Sequence, residues 1–194
     1  MRTFFLMILG TSLALAQSAE FSVTGGVSRL NNNQLGGFSD ASGTTNFSLR
    51  DGWRFGFRTT VNPMRFFGHE FGYGYNRTQL RVEETGTETG MAIHQGFYNF
   101  LVYATPDGAK VRPFAAGGAH FSNYTPPGTS VTSGGGSAKI GFNYGGGVKF
   151  RLSHMFGLRF DVRQYQNGKP FDFLQNRKGL IGQLEVSLGF GLVI

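Results

Sequence analysis

The chain has 194 residues, enough for one domain with its own core. It contains 31 glycines and 21 phenylalanines, only 15% of its residues are charged, and its formal net charge is +7. It has no cysteine, which excludes disulfides, thiol redox chemistry, cysteine-ligated zinc and lipid attachment to an N-terminal cysteine. The glycines lie inside alternating apolar runs and follow no collagen-like period, so they indicate closely packed strands.

The first sixteen residues have the three parts of a secretory signal peptide. Residues 1–3 carry a positive charge, residues 4–15 are apolar, and residues 14–16 read Ala-Leu-Ala, a small-x-small cleavage site. The apolar run is short for a membrane span, although an uncleaved anchor is the alternative. We therefore predict a signal peptide at 1–16 and one domain at 17–194. A basic exported chain is expected to meet anionic lipid head groups, and we predict no nucleic-acid partner.

After the signal peptide, apolar and polar residues alternate in eight segments. The strictest is the last, where every second residue from Leu184 to Ile194 is large and apolar and the residues between are mostly polar or glycine. A period of two places successive side chains on opposite faces of a strand. One bulky apolar face opposite a polar face is typical of a strand between lipid and a tight polar lumen. The segments are 20–30, 52–62, 68–82, 91–104, 111–124, 138–152, 157–165 and 182–194.

Long and short connections alternate between these segments, with long polar stretches such as 31–51 and 125–137 and tight turns such as 105–108. Outer-membrane barrels place tight turns in the periplasm and long loops outside. We therefore predict an all-β, eight-stranded, antiparallel up-and-down transmembrane barrel with periplasmic termini. The inner faces of segments 91–104 and 111–124 stay open, because both faces of the first are apolar and the second is rich in small residues. Candidates for interfacial aromatic girdles are Trp53, Tyr73, Tyr75, Tyr144 and Tyr165.

Residues 17–194 resemble the eight-stranded outer-membrane barrels of the OmpA and OmpX type. The more specific segments are 143–149, Asn-Tyr-Gly-Gly-Gly-Val-Lys, and 157–163, Gly-Leu-Arg-Phe-Asp-Val-Arg. The resemblance implies an outer-membrane location, contact with outer-membrane lipid and lipopolysaccharide, and a monomer. The chain end is similar to the signal read by the barrel-assembly machinery, although the family usually ends in an aromatic residue. The positions that fit this signal are Ser187, Gly189, Leu192 and Ile194.

The predicted inner faces carry nine charged residues. An eight-stranded barrel encloses a lumen just wide enough for side chains to fill. Isolated charges in such an interior are costly, so we predict a network of internal ion pairs that plugs the barrel, with a narrow charged pore as the alternative. The residues are Arg54, Arg58, Glu70, Lys149, Arg151, Arg159, Asp161, Arg163 and Glu185.

One short motif has the elements of a catalytic site. His120 and Ser122 are two residues apart, so they share a strand face and the imidazole could act as a base toward the hydroxyl. Residues 120–123, His-Phe-Ser-Asn, resemble the His-x-Ser-Asn element of outer-membrane lipid A 3-O-deacylases, which implies a position level with the outer leaflet. Those enzymes also use a Glu after the serine, and residues 124–149 contain no Asp or Glu. A triad without its orienting acid loses much of its activity.

The predicted function is therefore a non-enzymatic one. Four scattered histidines, His69, His94, His120 and His154, lack the spacing of metal ligands, so we predict no metal site and no cofactor. We expect a structural or surface-interaction role through the long extracellular loops. A lipid A deacylase-like esterase and a narrow pore are the alternatives. A soluble ligand-binding barrel would turn the apolar face inward and leave far too few charges on its exterior.

Overall fold

The structure, a computed structural model, describes residues 18–41, 43–130, 136–175 and 179–194. The predicted signal peptide lies outside the described residues. No helix in the described ranges is long and apolar enough to cross a membrane. The described strands are β1 Ser18–Asn31, β2 Gln34–Asp40, β3 Gly43–Leu49, β4 Gly52–Met64, β5 Phe67–Val82, β6 Glu88–Tyr103, β7 Val111–Thr125, β8 Ser137–Arg151, β9 Phe156–Gly168 and β10 Leu180–Val193.

Eight of these strands, all except β2 and β3, close an antiparallel barrel. Each pairs with its neighbours in chain order, and β10 returns to pair with β1. At this seam Ala19 and Ile194 exchange two backbone hydrogen bonds of 3.0 and 2.8 Å. Closure pairs every strand on both sides, which a backbone crossing hydrocarbon requires. The predicted eight-stranded barrel is confirmed, and its strands begin and end within a few residues of the predicted segments.

The two ends of the barrel differ in their connections. Residues 65–66, 104–110 and 152–155 connect strands at the end that also holds Ala19 and Ile194, which we call the turn end. The other end, the loop end, carries the remaining connections. Their described residues are 32–41, 43–51, 83–87, 126–130, 136, 169–175 and 179.

The barrel is apolar outside and polar inside. The outer face carries large exposed apolar side chains, whereas the residues that alternate with them are buried in the lumen. This alternation also assigns the two strands whose faces the sequence left open. On β6, Asn99 and Leu101 are buried and Phe100 is exposed, and on β7, Arg112 is buried and Phe121 is exposed. Lipid on the outside explains this distribution, because hydrocarbon solvates apolar side chains.

Glycine allows the strands to approach closely in such a small barrel. A Cβ added to Gly118 on β7 would lie 1.9 Å from the carbonyl oxygen of Tyr98 on β6. A Cβ added to Gly145 on β8 would lie 2.1 Å from the carbonyl oxygen of Val162 on β9. No side chain fits at such distances, so both positions require glycine.

The connection between β1 and β4 is more ordered than the polar stretch predicted from the sequence. Within residues 32–51, β2 and β3 form a hairpin, and β3 pairs with the loop end of β5 through Phe47↔Val82 and Leu49↔Leu80. Leu35 and Leu49 are fully buried. These leucines are isolated among polar residues, so the stretch has no clear apolar period, and their burial depends on segments distant in sequence.

The loop-end segments fold over the barrel as a cap, which we define as residues 32–41, 43–51 and 169–175 with the adjoining strand ends. Gly37 of the hairpin and Gln175 exchange two backbone hydrogen bonds of 3.0 and 2.8 Å, which join the two segments. The core of the cap is a cluster of buried apolar side chains. They are Leu30, Leu35, Leu49, Met91, Ile93, Tyr124, Phe171, Leu174 and Ile181.

Candidate functional site

Glu70 on β5 is the acidic centre of the lumen and is fully buried. Its carboxylate lies 2.8 Å from Arg159 Nη2, 3.1 Å from Arg163 Nη2 and 3.3 Å from Arg58 Nη1. Asn99 Nδ2 donates a hydrogen bond of 3.1 Å to the same carboxylate. Since β5 and β9 lie on opposite sides of the barrel, these ion pairs cross the lumen.

Glu185 on β10 forms a second acidic centre. Arg58 Nη2 lies 2.6 Å and Arg54 Nε 3.1 Å from its carboxylate oxygens. The Tyr165 hydroxyl donates a hydrogen bond of 3.0 Å to it. Arg58 therefore bridges two carboxylates, Glu70 and Glu185, and links the two centres.

Asp161 completes the network on β9. Arg159 binds it through two hydrogen bonds, of 2.7 Å from Nε and 2.8 Å from Nη2. Arg163 Nη2 lies 3.2 Å from the same carboxylate. These contacts run along β9, whereas the ion pairs of Glu70 with Arg159 and Arg163 cross the interior of the barrel.

A smaller ionic cluster lies at the turn end. Lys149 Nζ is 2.6 Å from Glu20 Oε2 and donates a hydrogen bond of 3.0 Å to the Tyr103 hydroxyl. Arg112 pairs with Asp107 at 2.9 Å, and its guanidinium lies 3.5 Å from the ring centre of Tyr103. The sequence prediction included only Lys149. Glu20 could have been predicted, because it alternates with the outward-facing apolar residues of its strand. Arg112 could not, because the sequence did not show which face of segment 111–124 points inward.

Eight of the nine charged residues predicted to face the lumen are buried. The exception is Arg151, which is only half-buried. It shares the inward phase of Lys149, but it is the last residue of β8, where the lumen opens to solvent at the turn end. The buried residues are Arg54, Arg58, Glu70, Lys149, Arg159, Asp161, Arg163 and Glu185.

His120 and Ser122 share the inner face of β7, and both are buried in the lumen. His120 Nε2 is hydrogen-bonded to Asn167 Oδ1. Ser122 Oγ accepts hydrogen bonds of 2.9 Å from Gln95 Nε2 and 3.0 Å from Asn167 Nδ2. Within the described ranges no carboxylate contacts either side chain. The deacylase resemblance implied a position level with the outer leaflet, but His120 and Ser122 are buried on the inner face, and Phe121 between them is exposed on the outer face.

Tyr165 is also placed differently from the prediction. It was expected in an aromatic girdle, but it is fully buried in the lumen beside Glu185. The sequence indicated this position, because Tyr165 is two residues from Arg163 and four from Asp161 and therefore shares their inward face of β9. The other girdle candidates lie on the outer face of the barrel. They are Trp53, Tyr73, Tyr75 and Tyr144.

The cap contains a cavity of about 150 Å³. Phe173 lies at its rim with 73% of its surface exposed. Phe171 adopts a positive φ of 63°, which costs a bulky residue about 1–3 kcal/mol unless its surroundings impose it. Its N–H donates to Ser137 Oγ at 3.0 Å, which helps to hold that conformation. The cavity is lined by Leu35, Phe47, Leu80, Pro126, Phe171, Phe173 and Leu174.

A second cavity of about 540 Å³ adjoins the first at Phe47 and is more polar. Lys169 lines it, and burial lowers the pKa of this lysine below its ordinary value. Glu83 lines it as well and is hydrogen-bonded to the Ser48 hydroxyl. The cap thus places an apolar cavity and a polar cavity side by side.

Polar contacts also fix the hairpin to the connection between β5 and β6. Glu84 accepts hydrogen bonds from the backbone N–H of Asn46 at 2.8 Å and from its Nδ2 at 2.9 Å. These bonds hold the pKa of the Glu84 carboxyl below its ordinary value. Across the described ranges, no group of three or more His, Asp or Glu side chains is arranged to hold a metal ion.

A closed eight-stranded barrel with an apolar exterior and a charge-filled lumen defines a transmembrane barrel of the outer-membrane type. The sequence matches the family described as outer membrane protein beta-barrel domain over residues 3–192, and the chain belongs to that family. It is therefore an outer-membrane barrel protein, and the family resemblance seen in the sequence is confirmed. No match is found among curated proteins.

Solved structures of outer-membrane barrels share the fold. Neisserial surface protein A has a TM-score of 0.63 at 12% identity, over 90% of this chain and 96% of that one. The N-terminal barrel of OprF from Pseudomonas aeruginosa has a TM-score of 0.56 at 14% identity, over 92% and 98%. Ail from Yersinia pestis, in complex with the heparin analogue sucrose octasulfate, has a TM-score of 0.51 at 12% identity, over 91% and 98%. At these identities the similarity concerns the fold alone.

Proposed function

We propose that this protein is a small non-enzymatic outer-membrane barrel with a structural or surface-interaction role carried by its loop end. One observation carries the proposal: ion pairs cross the lumen, whereas the loop end holds a folded cap with its own apolar core. A plugged interior favours recognition at the loops, where rigid scaffolds commonly carry binding residues. The position of His120 and Ser122 inside the barrel gives no support to the esterase alternative.

In this proposal the chain termini and the turn end are periplasmic and the cap faces outward, surrounded by outer-membrane lipid and lipopolysaccharide. The barrel acts as a monomer. The barrel-assembly machinery reads the chain end through Ser187, Gly189, Leu192 and Ile194. Leu192 is exposed on the outer face of β10 and Ile194 is exposed directly after this strand, which supports their availability to a partner during assembly.

Replacement of the cap by flexible linkers tests the surface role. One variant replaces residues 34–49 with a Gly-Ser linker, a second replaces residues 171–175, and a control replaces residues 105–109 at the turn end. Folding is checked by the gel migration of unheated samples. We then measure how cells that display each variant attach to one another and to heparin-coated surfaces, since Ail was solved with a heparin analogue. The proposal expects the two cap variants, and not the control, to lose attachment.

Two further measurements separate the alternatives. Steady ion conductance of the purified protein in planar bilayers would favour the narrow pore. Loss of one acyl chain from lipid A in cells that produce the protein, abolished by Ser122→Ala, would show an esterase. Equal attachment by all folded variants would contradict the surface-interaction role.

A further inference from the structure

The apolar cavity in the cap has the size and lining of a ligand site. Its volume is about 150 Å³, and every lining side chain is apolar. An enclosed cavity of roughly this volume lined by Leu, Ile and Phe binds benzene or xenon in another protein. An apolar group that matches the cavity would gain packing contacts with the lining side chains.

Several independent segments hold the cavity open. Phe47 is fixed by the pairing of β3 with β5, and Leu80 belongs to that extension of β5. Leu174 lies in the segment that bonds to the hairpin, and its N–H donates a hydrogen bond of 3.0 Å to the carbonyl oxygen of Phe171. Because each wall is fixed by its own backbone contacts, the walls do not collapse together easily, and the site is largely pre-formed.

The surroundings define which ligands fit. The exposed Phe173 ring stands at the rim, so the cavity is accessible from the loop end. At Phe47 it meets the polar cavity that Asn46, Glu83 and Lys169 line, where the Lys169 ammonium would attract an anionic group. An apolar group can therefore enter alone, or as the end of a longer molecule whose polar part occupies the neighbouring cavity.

We propose that the cap cavity binds an alkyl or aryl group of about six to eight non-hydrogen atoms, a size set by comparison with the benzene cavity. The group belongs either to a free apolar molecule or to the tail of an anionic amphiphile. This goes beyond the proposed surface role, and it is tested by direct binding without any measurement of attachment.

The test uses the protein in lipid nanodiscs with isotope-labelled leucine methyl groups. Toluene serves as the free apolar probe and octanoate as the amphiphile. NMR follows the methyl groups of Leu35 and Leu174 in the cavity wall and, as an internal control, those of Leu188 on the lipid-facing surface. Both probes also dissolve in lipid, so the control reports partitioning. The proposal expects saturable shifts at the cavity leucines and only a gradual, unsaturated change at Leu188.

Two variants complete the test. Leu80→Trp fills the cavity and should weaken binding at least about tenfold, whereas Leu180→Trp, an exposed leucine outside the cavity, should leave binding unchanged. If Leu80→Trp does not fold, Phe173→Ala removes a rim side chain that is mostly solvent-exposed and should weaken binding several-fold. Two results would overturn the proposal. One is that the shifts of Leu35 and Leu174 stay as gradual and unsaturated as those of Leu188, and the other is that Leu80→Trp leaves binding unchanged.

The two probes distinguish the sources of the ligand. Saturable binding of toluene with none of octanoate supports a free apolar molecule. Tighter binding of octanoate, lost with Lys169→Gln, supports an anionic amphiphile. Saturation by neither probe at the cavity leucines would show that the cavity is not a ligand site.

Discussion

The lumen and the cap belong to one chain but distribute their side chains in opposite ways. In the lumen, carboxylates and guanidinium groups are buried and the apolar side chains face outward. In the cap, leucines such as Leu35 and Leu49 are buried, and polar contacts such as that of Glu84 lie at the surface. The difference follows from the surroundings, because hydrocarbon solvates apolar groups and water solvates polar ones. The lumen should therefore be sensitive to loss of charge pairing, and the cap to loss of apolar volume.

The largest effect is expected from Glu70→Gln. This change leaves three buried arginines without one of their carboxylates, and removing one partner of a buried ion pair typically costs about 3–5 kcal/mol. The free energy of unfolding from lipid vesicles, measured in urea, should fall by that amount. Glu88→Gln is the matched control, since Glu88 pairs with Arg50 and Arg81 near the surface, where such pairs contribute about 0–1 kcal/mol. Equal losses for the two variants would contradict the network.

Leu35→Ala tests the cap in the same way. The leucine is fully buried, and such truncations cost about 2–5 kcal/mol through lost burial and the cavity left behind. We expect the loss to appear as local opening of the cap, seen as faster hydrogen exchange of β2 and β3 amides. Phe38→Ala, on the exposed side of the same hairpin, should change little. If barrel amides lost protection to the same extent, cap and barrel would not be separate regions.

Leu188→Arg tests the outward face of the barrel. An arginine facing the middle of the bilayer costs about 2–4 kcal/mol, and the cost falls to about 0–1 kcal/mol near the interfaces. Leu180→Arg at the loop end of β10 is therefore the control. Folding yield and urea stability in vesicles should separate the two variants. Unchanged stability of Leu188→Arg would show that this side chain does not face lipid.

The sequence predicted the barrel much better than the cap. The alternation on β9 and β10 predicts which residues face inward, because a strand between lipid and lumen repeats its pattern locally. Asp161 on β9 and Glu185 on β10 were predicted in this way, and both are buried in the lumen. The cap was not predicted, because Leu35 meets Phe171 only after residues far apart in sequence come together. His120 shows a second limit: its spacing predicts a shared face with Ser122, but β7 carries too many small residues for the pattern alone to decide which face is inside.

The smallest expected effect concerns pH. The hydrogen bonds from Asn46 favour the charged form of Glu84 and lower its pKa, so the contact is fully present above the ordinary Glu value of 4.5 and is lost as pH falls through the lowered pKa. The amide chemical shift of Asn46, followed from about pH 6 to about pH 2, should change with a midpoint below 4.5. Glu84→Gln should abolish the transition. A midpoint at or above 4.5 would contradict the contact.

The pairing of β1 with β10 has a consequence for the time course of folding. These strands lie at opposite ends of the described chain, so the register that joins Glu20 to Val193 forms only when distant segments meet. Contacts of such large sequence separation are slow to form, because loop closure costs entropy before the contact is gained. Until they meet, the curved sheet presents two unpaired edges, and such edges readily pair with other chains. The period before closure is therefore the stage at which the chain is most prone to aggregate and at which a factor that shields β1 or β10 would have its greatest effect.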